Sequence, residues 1–389
     1  MLKKILFTTL GLTLSILYLN SYGQSNKNKE SKNLVNKNEH LLYHDLFISG
    51  QDRVSQYCIP SLVTTNKGTL IAVCDARVDK PGDAPNKIDL VLKRSFDGGK
   101  TWTKQKTIVN YPDNDAAADA SMVVDKQTGV IWLAYDYAIA DPQGQLGRII
   151  RIHILESSDD GVIWSTPMDL SYLTRGKNFW LQNSPGRGLY AKGGVIVFPM
   201  YSILGNFNNP KQKQTVLIIS KDHGRSWSMS NGIGDNNVEA QIASLPDGGI
   251  IANMRRPDGE GYRQIATTRD LGQSWSEVYT DSTLIGPGCQ GSMINYQTHG
   301  LSFLLFSIPD DKKFRRDLVL HISDNSGKTW NKKLSIYKRS ASYSADYSCL
   351  TKLPNGNIGI LYDADTRKRI VFAQIPFQAI LTTNRKTVQ

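Results

Sequence analysis

The chain has 389 residues, of which 40% are hydrophobic, 21% charged and 9% aromatic. This composition is typical of a globular protein and excludes collagen-like, disulfide-dense and wholly disordered chains. The formal net charge is +11, but the basic residues are scattered along the chain and form no long run. The charge therefore predicts no nucleic-acid partner, and it leaves an anionic small substrate and an inert basic surface as alternatives.

The first segment of the chain is predicted to be a signal peptide over residues 1–23. Lys3 and Lys4 precede an apolar stretch that is short for a membrane span, and small and polar residues follow it. Residues 24–41 are rich in Asn and Lys and are predicted to be a polar leader. Residues 42–389 are predicted to form one domain. We therefore expect a secreted or periplasmic protein with no membrane span in the mature chain.

A short pattern recurs five times in the remaining sequence, with the template Ser/Thr-x-Asp-x-Gly-x-Ser/Thr-Trp. The copies, which we call boxes, are SFDGGKTW at 95–102, SSDDGVIW at 157–164, SKDHGRSW at 220–227, TRDLGQSW at 268–275 and SDNSGKTW at 323–330. Each box follows an alternating apolar segment and leads into another extended one, which predicts a turn between strands. The Asp and Ser/Thr side chains can bond turn amides, and the Gly allows a positive φ.

The spacing of the boxes predicts the fold. Steps of roughly 50 to 60 residues suit one four-stranded antiparallel sheet per repeat, which is the unit of a β-propeller. Dividing about 340 residues by about 55 per sheet gives six. We therefore predict an all-β, six-bladed β-propeller of four-stranded antiparallel sheets, in which the boxes are structural and have no catalytic role.

Four further segments accompany the boxes: YCIPSL at 57–62, CDAR at 74–77, CQGSM at 289–293 and YSCL at 347–350. Together, boxes and segments resemble the bacterial exo-α-sialidases, which are six-bladed propellers that cleave terminal α-linked sialic acid. The resemblance implies action on sialylated glycoproteins, glycolipids or oligosaccharides, with retention through a tyrosyl intermediate. We further expect a monomer that uses no cofactor and has no metal site.

The substrate explains which residue types such a site needs. Sialic acid carries a carboxylate on its anomeric carbon, which planar guanidinium groups bind well. A carboxylate nucleophile would be repelled by that group, whereas a neutral tyrosine activated by a carboxylate base would not. A separate acid must protonate the leaving oxygen and later deprotonate water.

The resemblance assigns three catalytic residues. Tyr347 in ADYSCL matches the nucleophile, and Glu239 in NNVEAQIASL matches the carboxylate that takes its proton. Asp83 in ARVDKPGDAP matches the acid/base. Tyr343 is a nearby alternative to Tyr347, and Asp83 could instead be an ordinary turn residue, because PGDAP is turn chemistry.

The resemblance also assigns four binding residues. Arg77, Arg263 and Arg315 match the arginines that bind the substrate carboxylate, and Asp119 matches a residue that contacts the substituent at ring position five or four. Neighbouring arginines compete for these places, namely Arg255, Arg256 and Arg316. An isolated arginine is otherwise most often a solvated surface residue.

The sequence departs from the family at one important position. The family's first motif is Tyr/Phe-Arg-Ile-Pro, and here Cys58 takes the place of the arginine. The hairpin register predicts that Cys58 lies opposite Ala76 or Arg77, at the site end of its blade, and that it forms no disulfide with Cys74. Asp363 takes the place of the glutamate that would hold the missing arginine.

Three interpretations follow from this departure. The chain is a weak or altered sialidase, or an isolated variant of one; it is a propeller that binds sialoglycans without turnover; or it is a box-containing hydrolase of another sugar. The presence of Tyr347, Glu239 and Asp83 favours the enzyme.

Overall fold

The computed structural model describes residues 42–140, 148–206, 209–257, 260–298, 300–339 and 343–382. The predicted signal peptide and polar leader lie outside these residues, and their boundaries stay predictions. In the part of the chain that is described, no helix is long and apolar enough to cross a membrane.

The described residues form 26 strands. The first thirteen are β1 (Leu42–Ile48), β2 (Gln56–Thr64), β3 (Leu70–Arg77), β4 (Ile88–Ser95), β5 (Lys106–Val109), β6 (Ala116–Val124), β7 (Ile131–Ala140), β8 (Arg148–Ser157), β9 (Met168–Asp169), β10 (Phe179–Asn183), β11 (Gly186–Arg187), β12 (Leu189–Ala191) and β13 (Val195–Asn206). The others are β14 (Asn209–Ser220), β15 (Ser228–Met229), β16 (Val238–Ser244), β17 (Ile250–Arg255), β18 (Tyr262–Thr268), β19 (Tyr279–Ile285), β20 (Ser292–Thr298), β21 (Leu301–Pro309), β22 (Leu318–Ser323), β23 (Lys332–Tyr337), β24 (Ala345–Lys352), β25 (Ile358–Ala364) and β26 (Arg369–Ile375). A 3-10 turn spans Ser171–Thr174, and a short helix, α1, spans Phe377–Thr382.

The strands pair as six antiparallel blades. From the inner strand outward, five of them are β2–β3–β4–β5, β6–β7–β8–β9, β16–β17–β18–β19, β20–β21–β22–β23 and β24–β25–β26–β1. In the remaining blade, the third along the chain, β10 and β12 both pair with β13, and β14 and β15 follow outward. The first two blades are joined by one parallel pair, Ile88 with Ala116. The predicted all-β propeller is confirmed, and the strand pairing divides it into six blades.

The sixth blade combines strands from both ends of the described chain. β1 pairs antiparallel with β26, from Leu42 opposite Gln374 to Ile48 opposite Arg369. Leu46 and Phe47 of β1 are buried in the core shared with the first blade. This strand covers an edge that β26 would otherwise present to solvent.

The boxes are the turns after the third strands of blades one to five. In the first box, Asp97 Oδ1 accepts hydrogen bonds from the amides of Lys100 at 3.0 Å and Thr101 at 2.9 Å, and the Thr101 hydroxyl donates to Oδ2 at 2.6 Å. In the fifth box, Asn325 Oδ1 accepts from the Thr329 amide at 3.0 Å, while its Nδ2 donates to the Thr329 hydroxyl at 2.9 Å. The Asn325 side-chain amide therefore closes the same turn as the Asp97 carboxylate does.

The box tryptophans join neighbouring blades. The ring of Trp102, in the first blade, lies 5.2 Å from that of Phe372 on β26 of the sixth. Trp227, in the third blade, lies 5.7 Å from Trp132 on β7 of the second. Both pairs meet edge to face, a favourable arrangement for aromatic rings in a core.

Four inner strands carry a β-bulge near their first residues. The register of β2, β6, β16 and β24 with the next strand shifts after Cys58, Ala118, Val238 and Ala345 respectively. Inside three of these bulges, Ile59, Asp119 and Glu239 adopt positive φ values of 61°, 59° and 35°. Because a bulge redirects side chains locally, these positions form a site at the starts of the inner strands.

Candidate active site

Tyr347 of β24 and Glu239 of β16 meet at the centre of this site. The Tyr347 hydroxyl donates a hydrogen bond of 2.6 Å to Glu239 Oε1. The two residues are only 6% and 8% exposed. Burial, reinforced by the charge of Glu239, raises the pKa of Tyr347 well above its ordinary value. The phenol is therefore neutral at pH 7 and hydrogen-bonded to a base that can accept its proton.

Arg255 completes a three-residue cluster with this pair. Its Nη1 donates to the Tyr347 hydroxyl at 2.8 Å and also to Glu239 Oε2. Arg255 is the last residue of β17 and lies opposite Val238, next to Glu239. The hairpin from β16 to β17 therefore brings the guanidinium to the carboxylate and the phenol.

Arg263, predicted to bind the substrate carboxylate, donates its hydrogen bonds to protein acceptors beneath the site. Its Nε donates to Asn253 Oδ1 at 2.6 Å, and its terminal nitrogens donate to the backbone oxygens of Cys289 at 2.8 Å and Asn253 at 3.1 Å. The residue is 2% exposed. Burial, together with the charge of Arg255, lowers the pKa of Arg263 to about 9. Arg263 supports the backbone beneath the site, and Arg255 takes its place beside Tyr347.

Arg315, predicted to bind the substrate carboxylate, lies beside Tyr347. Its Nη1 donates to Asp346 Oδ1 at 2.7 Å, and its guanidinium carbon lies 5.6 Å from the centre of the Tyr347 ring. Arg367 donates through Nε to the other oxygen of Asp346 at 2.9 Å. No sequence pattern had pointed to Asp346 or Arg367 as site residues.

Cys58 belongs to the same site. It packs with Ile59, Cys289 and Tyr347 in a small buried cluster. It lies opposite Asp75 rather than the predicted neighbouring positions, because the bulge in β2 takes up one extra residue. Burial raises the pKa of the Cys58 thiol well above its ordinary value, so the side chain is uncharged.

Asp363, also predicted at this position, is fully buried on the neighbouring strand β25. Its Oδ2 accepts a 3.4 Å hydrogen bond from the Ile59 amide, and its Oδ1 is buried with no partner among the residues that the structure describes. Burial, together with the charge of Asp346, raises the pKa of Asp363 to about 7. Asp363 therefore places an acceptor oxygen that no described residue uses, Oδ1, in the region of the neutral Cys58 thiol.

Arg77 and Asp83 form an ion pair at the edge of the first blade. Arg77 Nη2 lies 2.5 Å from Asp83 Oδ1, and Arg77 Nη1 donates to Gln56 at 3.1 Å. The Asp83 side chain is 73% exposed, whereas that of Arg77 is buried. Arg77 thus holds the loop that carries Asp83.

Asp119 lies on β6 in the bulge that faces the site. Its amide donates to Asp75 Oδ1 at 3.1 Å, and its carbonyl oxygen accepts from Asn183 at 2.5 Å. Asp119 directly follows the last paired residue before the bulge of β6, as Glu239 does in β16. The two residues therefore occupy equivalent positions on their inner strands.

The cysteines form no disulfide. All four are free and buried, so the expectation that Cys58 and Cys74 stay unpaired agrees with the structure. Over the described ranges, no three His, Cys, Asp or Glu side chains are grouped so as to hold a metal ion.

Comparison with known proteins identifies the family. The sequence pattern of BNR repeat-like domains matches residues 68–360, which is most of the chain. The chain belongs to this family. This BNR-repeat chain is 30% identical over 365 residues to a sialidase of Bacteroides fragilis, and 29% identical over 347 residues to a sialidase of Micromonospora viridifaciens. These matches cover 88% and 83% of the chain, but only 65% and 52% of the relatives' own lengths.

A solved structure supports the same placement. The Hadza microbial sialidase Hz136 superimposes with a TM-score of 0.78 at 30% identity, covering 87% of this chain and 69% of the other. The bacterial sialidase resemblance stated for the boxes and segments is thereby confirmed at the level of family and fold.

Proposed function

We propose that this BNR-repeat propeller is an exo-α-sialidase that hydrolyses terminal α-linked sialic acid with retention, through a tyrosyl intermediate. The observation that carries the proposal is the buried hydrogen bond from Tyr347 to Glu239, together with the hydrogen bonds that Arg255 donates to both side chains. A neutral nucleophile, a base and a cation then meet at one point, as an anionic sugar requires.

The residues divide the reaction between them. Arg255 and Arg315 bind the substrate carboxylate, and Tyr347 attacks the anomeric carbon as Glu239 takes the phenolic proton. Asp83 protonates the leaving oxygen, which departs as an alcohol. Asp83 then deprotonates a water that attacks the same carbon, while Glu239 returns its proton to the departing Tyr347 oxygen, so two inversions give net retention.

The remaining residues position these groups. Arg77 orients Asp83 through their ion pair, and Asp119 contacts the substituent at ring position five or four of the sugar. Because Cys58 is neutral and stands where the family has an arginine, one guanidinium is missing from the site that binds the substrate carboxylate. We therefore propose that turnover is weaker than it would be with an arginine at this position.

Turnover of an aryl α-sialoside by purified protein tests the proposal. We expect released sialic acid whose first-formed anomer, observed by NMR, is the α form. Tyr347→Phe should lower kcat by at least about 1000-fold, because it removes the nucleophile. Tyr343→Phe is the matched control, since Tyr343 is 53% exposed and should be dispensable.

A second candidate is a sialoglycan-binding propeller without turnover, which the buried, uncharged Cys58 favours. It predicts saturable binding of a sialoside with no product from either wild type or Cys58→Arg. A hydrolase of another sugar would instead be revealed by a panel of aryl glycosides. Product from the sialoside that disappears in Tyr347→Phe would exclude both alternatives.

We also propose that the chain is exported and acts as a monomer. The basic and apolar start of the sequence supports export. N-terminal sequencing of secreted or periplasmic protein should find cleavage near Gly23, and light scattering should give the mass of one chain. An uncleaved cytoplasmic product would contradict the export proposal.

A further inference from the structure

Three guanidinium groups surround Tyr347. Arg255 bonds its hydroxyl, while the guanidinium carbons of Arg315 and Arg367 lie 5.6 and 5.9 Å from the centre of its ring. Asp346, the residue before Tyr347, binds the last two through separate carboxylate oxygens, at 2.7 and 2.9 Å. One buried carboxylate therefore fixes two cations against the same ring.

Arg367 keeps hydrogen-bond donors for a ligand. Its Nε is engaged by Asp346, but within the described ranges its two terminal nitrogens donate to no protein acceptor. The side chain is 21% exposed, so it is accessible from the site. A guanidinium held along one edge can present its remaining N–H groups to a carboxylate.

The backbone holds Arg367 in place. Arg367 and the preceding Thr366 lie in the turn between β25 and β26 with φ values of 60° and 59°. The Thr366 hydroxyl donates to the Tyr343 carbonyl at 2.8 Å, and the Ser49 hydroxyl donates to the Arg367 carbonyl at 2.7 Å. Ser49 Oγ also accepts from the Tyr57 amide at 3.0 Å, which ties the turn to the start of β2. The guanidinium is therefore preorganised.

The charged side chains around Tyr347 have a net positive charge, which favours binding of an anion. Arg255, Arg315 and Arg367 supply three positive charges, and Glu239 and Asp346 supply two negative ones. Asp363, on the strand before the Arg367 turn, adds no charge below pH 7, because burial and then the charge of Asp346 raise its pKa to about 7. A surplus cation in a largely buried cluster is costly unless a ligand compensates for it. A single carboxylate on the ligand would balance the cluster.

We propose that Arg367 is a substrate-binding residue that supplies, from the turn between β25 and β26, the guanidinium that Cys58 does not provide. This inference rests on the proposed sialidase function. Cys58 packs against Tyr347, and the Arg367 guanidinium carbon lies 5.9 Å from the centre of the same ring, so the two side chains both border Tyr347. Arg367 and an arginine at position 58 would therefore serve the same group of the substrate.

Kinetics on two substrates test the inference. Arg367→Ala is compared with Lys368→Ala, which removes an equal charge from an exposed neighbour in the same turn. The substrates are an aryl α-sialoside and its carboxamide analogue, which lacks the carboxylate charge. We expect Arg367→Ala to lose at least about 30-fold in kcat/KM on the sialoside, and much less on the carboxamide. Lys368→Ala should stay within about twofold of wild type on both.

The outcomes separate this inference from the proposed function. An Arg367→Ala protein that still prefers the sialoside as strongly as wild type does would overturn the inference and leave the function standing. A wild-type protein that neither cleaves nor binds the sialoside would overturn both. Arg367→Gln keeps a donor for Asp346 without the charge, and it gives the same readout if the alanine variant does not fold.

A Cys58→Arg background tests whether the two positions are interchangeable. We expect the loss caused by Arg367→Ala to shrink there to less than about fivefold, because residues that serve one group are not additive. Equal losses in both backgrounds would contradict the claim that Arg367 replaces the guanidinium missing at position 58.

Discussion

Two carboxylates fix the cations around Tyr347. Glu239 holds Arg255, and Asp346 holds Arg315 and Arg367. Burial alone would raise the pKa of Asp346, but the two guanidiniums hold it below its ordinary value. Both arginines therefore face an ionised partner at neutral pH, and the site needs little reorganisation when an anionic sugar binds.

Replacing Arg255 or Arg263 by alanine should affect different properties of the protein. Arg255→Ala should lower kcat/KM by at least about 100-fold, because a charge beside the nucleophile is lost. Arg263→Ala removes a donor from three acceptors, at about 1–3 kcal/mol for each one left unsatisfied, and should mainly lower the free energy of unfolding. Urea unfolding and kinetics separate the two effects. A stable Arg263→Ala protein that no longer binds the sialoside would restore Arg263 to the carboxylate site.

Asp363 should make the protein less stable as pH rises. Its pKa is about 7 in the folded protein, because of burial and then the charge of Asp346, against about 4 for an ordinary aspartate. The folded state therefore keeps a proton that the unfolded state has lost, and stability falls by roughly 1.4 kcal/mol per pH unit between pH 5 and 7. Asp363→Asn should remove this part of the slope in urea unfolding at pH 5, 6 and 7. An unchanged slope would show that Asp363 is ionised throughout.

The sequence predicted the central pair but not the full arginine set. Tyr347 and Glu239 lie in segments that match the family, and the structure brings them into contact. The LPDGG turn could also have placed Arg255 beside Glu239, since Ser244 pairs with Ile250 in that hairpin. No local pattern could have placed Arg367, because it lies in the turn beyond the paired strands, and Ser49 from the other end of the described chain helps to hold that turn.

The box turn is the element that repeats through the fold. Its polar residues close the turn, and its glycine lets the preceding blade in the ring approach. In the first box, a Cβ on Gly99 would lie 2.2 Å from the Phe372 ring, whereas one on the adjacent Gly98 would meet nothing within 4 Å. The pattern of the turn was readable from the sequence, but this contact between blades depends on the tertiary structure.

Gly98→Ala and Gly99→Ala should therefore differ in stability. Both residues have positive φ, 75° and 93°, so each substitution carries a backbone cost of about 1 kcal/mol. Gly99→Ala should cost a further 1–3 kcal/mol or so, because the methyl group overpacks the Phe372 ring. Thermal unfolding of both variants measures the difference. Equal melting temperatures would show that the box does not set the spacing of the blades.

The ring of blades closes through a strand from the opposite end of the chain. β1 completes the sixth blade, which carries no box, so its presence followed only from dividing the length by the repeat. Its partners could not be read from the sequence, because a ring can be closed by a strand from either end. The structure shows that Leu42–Ile48 closes it against β26.

Removing β1 should open the ring. A chain that begins at Leu42 should melt cooperatively, at the same temperature as one that begins at Gln24. A chain that begins at Gly50 loses the buried Leu46 and Phe47 and exposes the edge of β26. It should melt at a lower temperature or aggregate. Identical melting curves for all three chains would contradict closure by β1.

The proposed mechanism requires Tyr347 to form a covalent bond to sialic acid. Incubation with 2,3-difluorosialic acid, followed by intact-mass and peptide analysis, tests it most directly. We predict that wild-type protein gains the mass of one fluorosialyl group, located on Tyr347, and that Tyr347→Phe gains none. Turnover of an α-sialoside without any such adduct, or an adduct on another residue, would contradict the account.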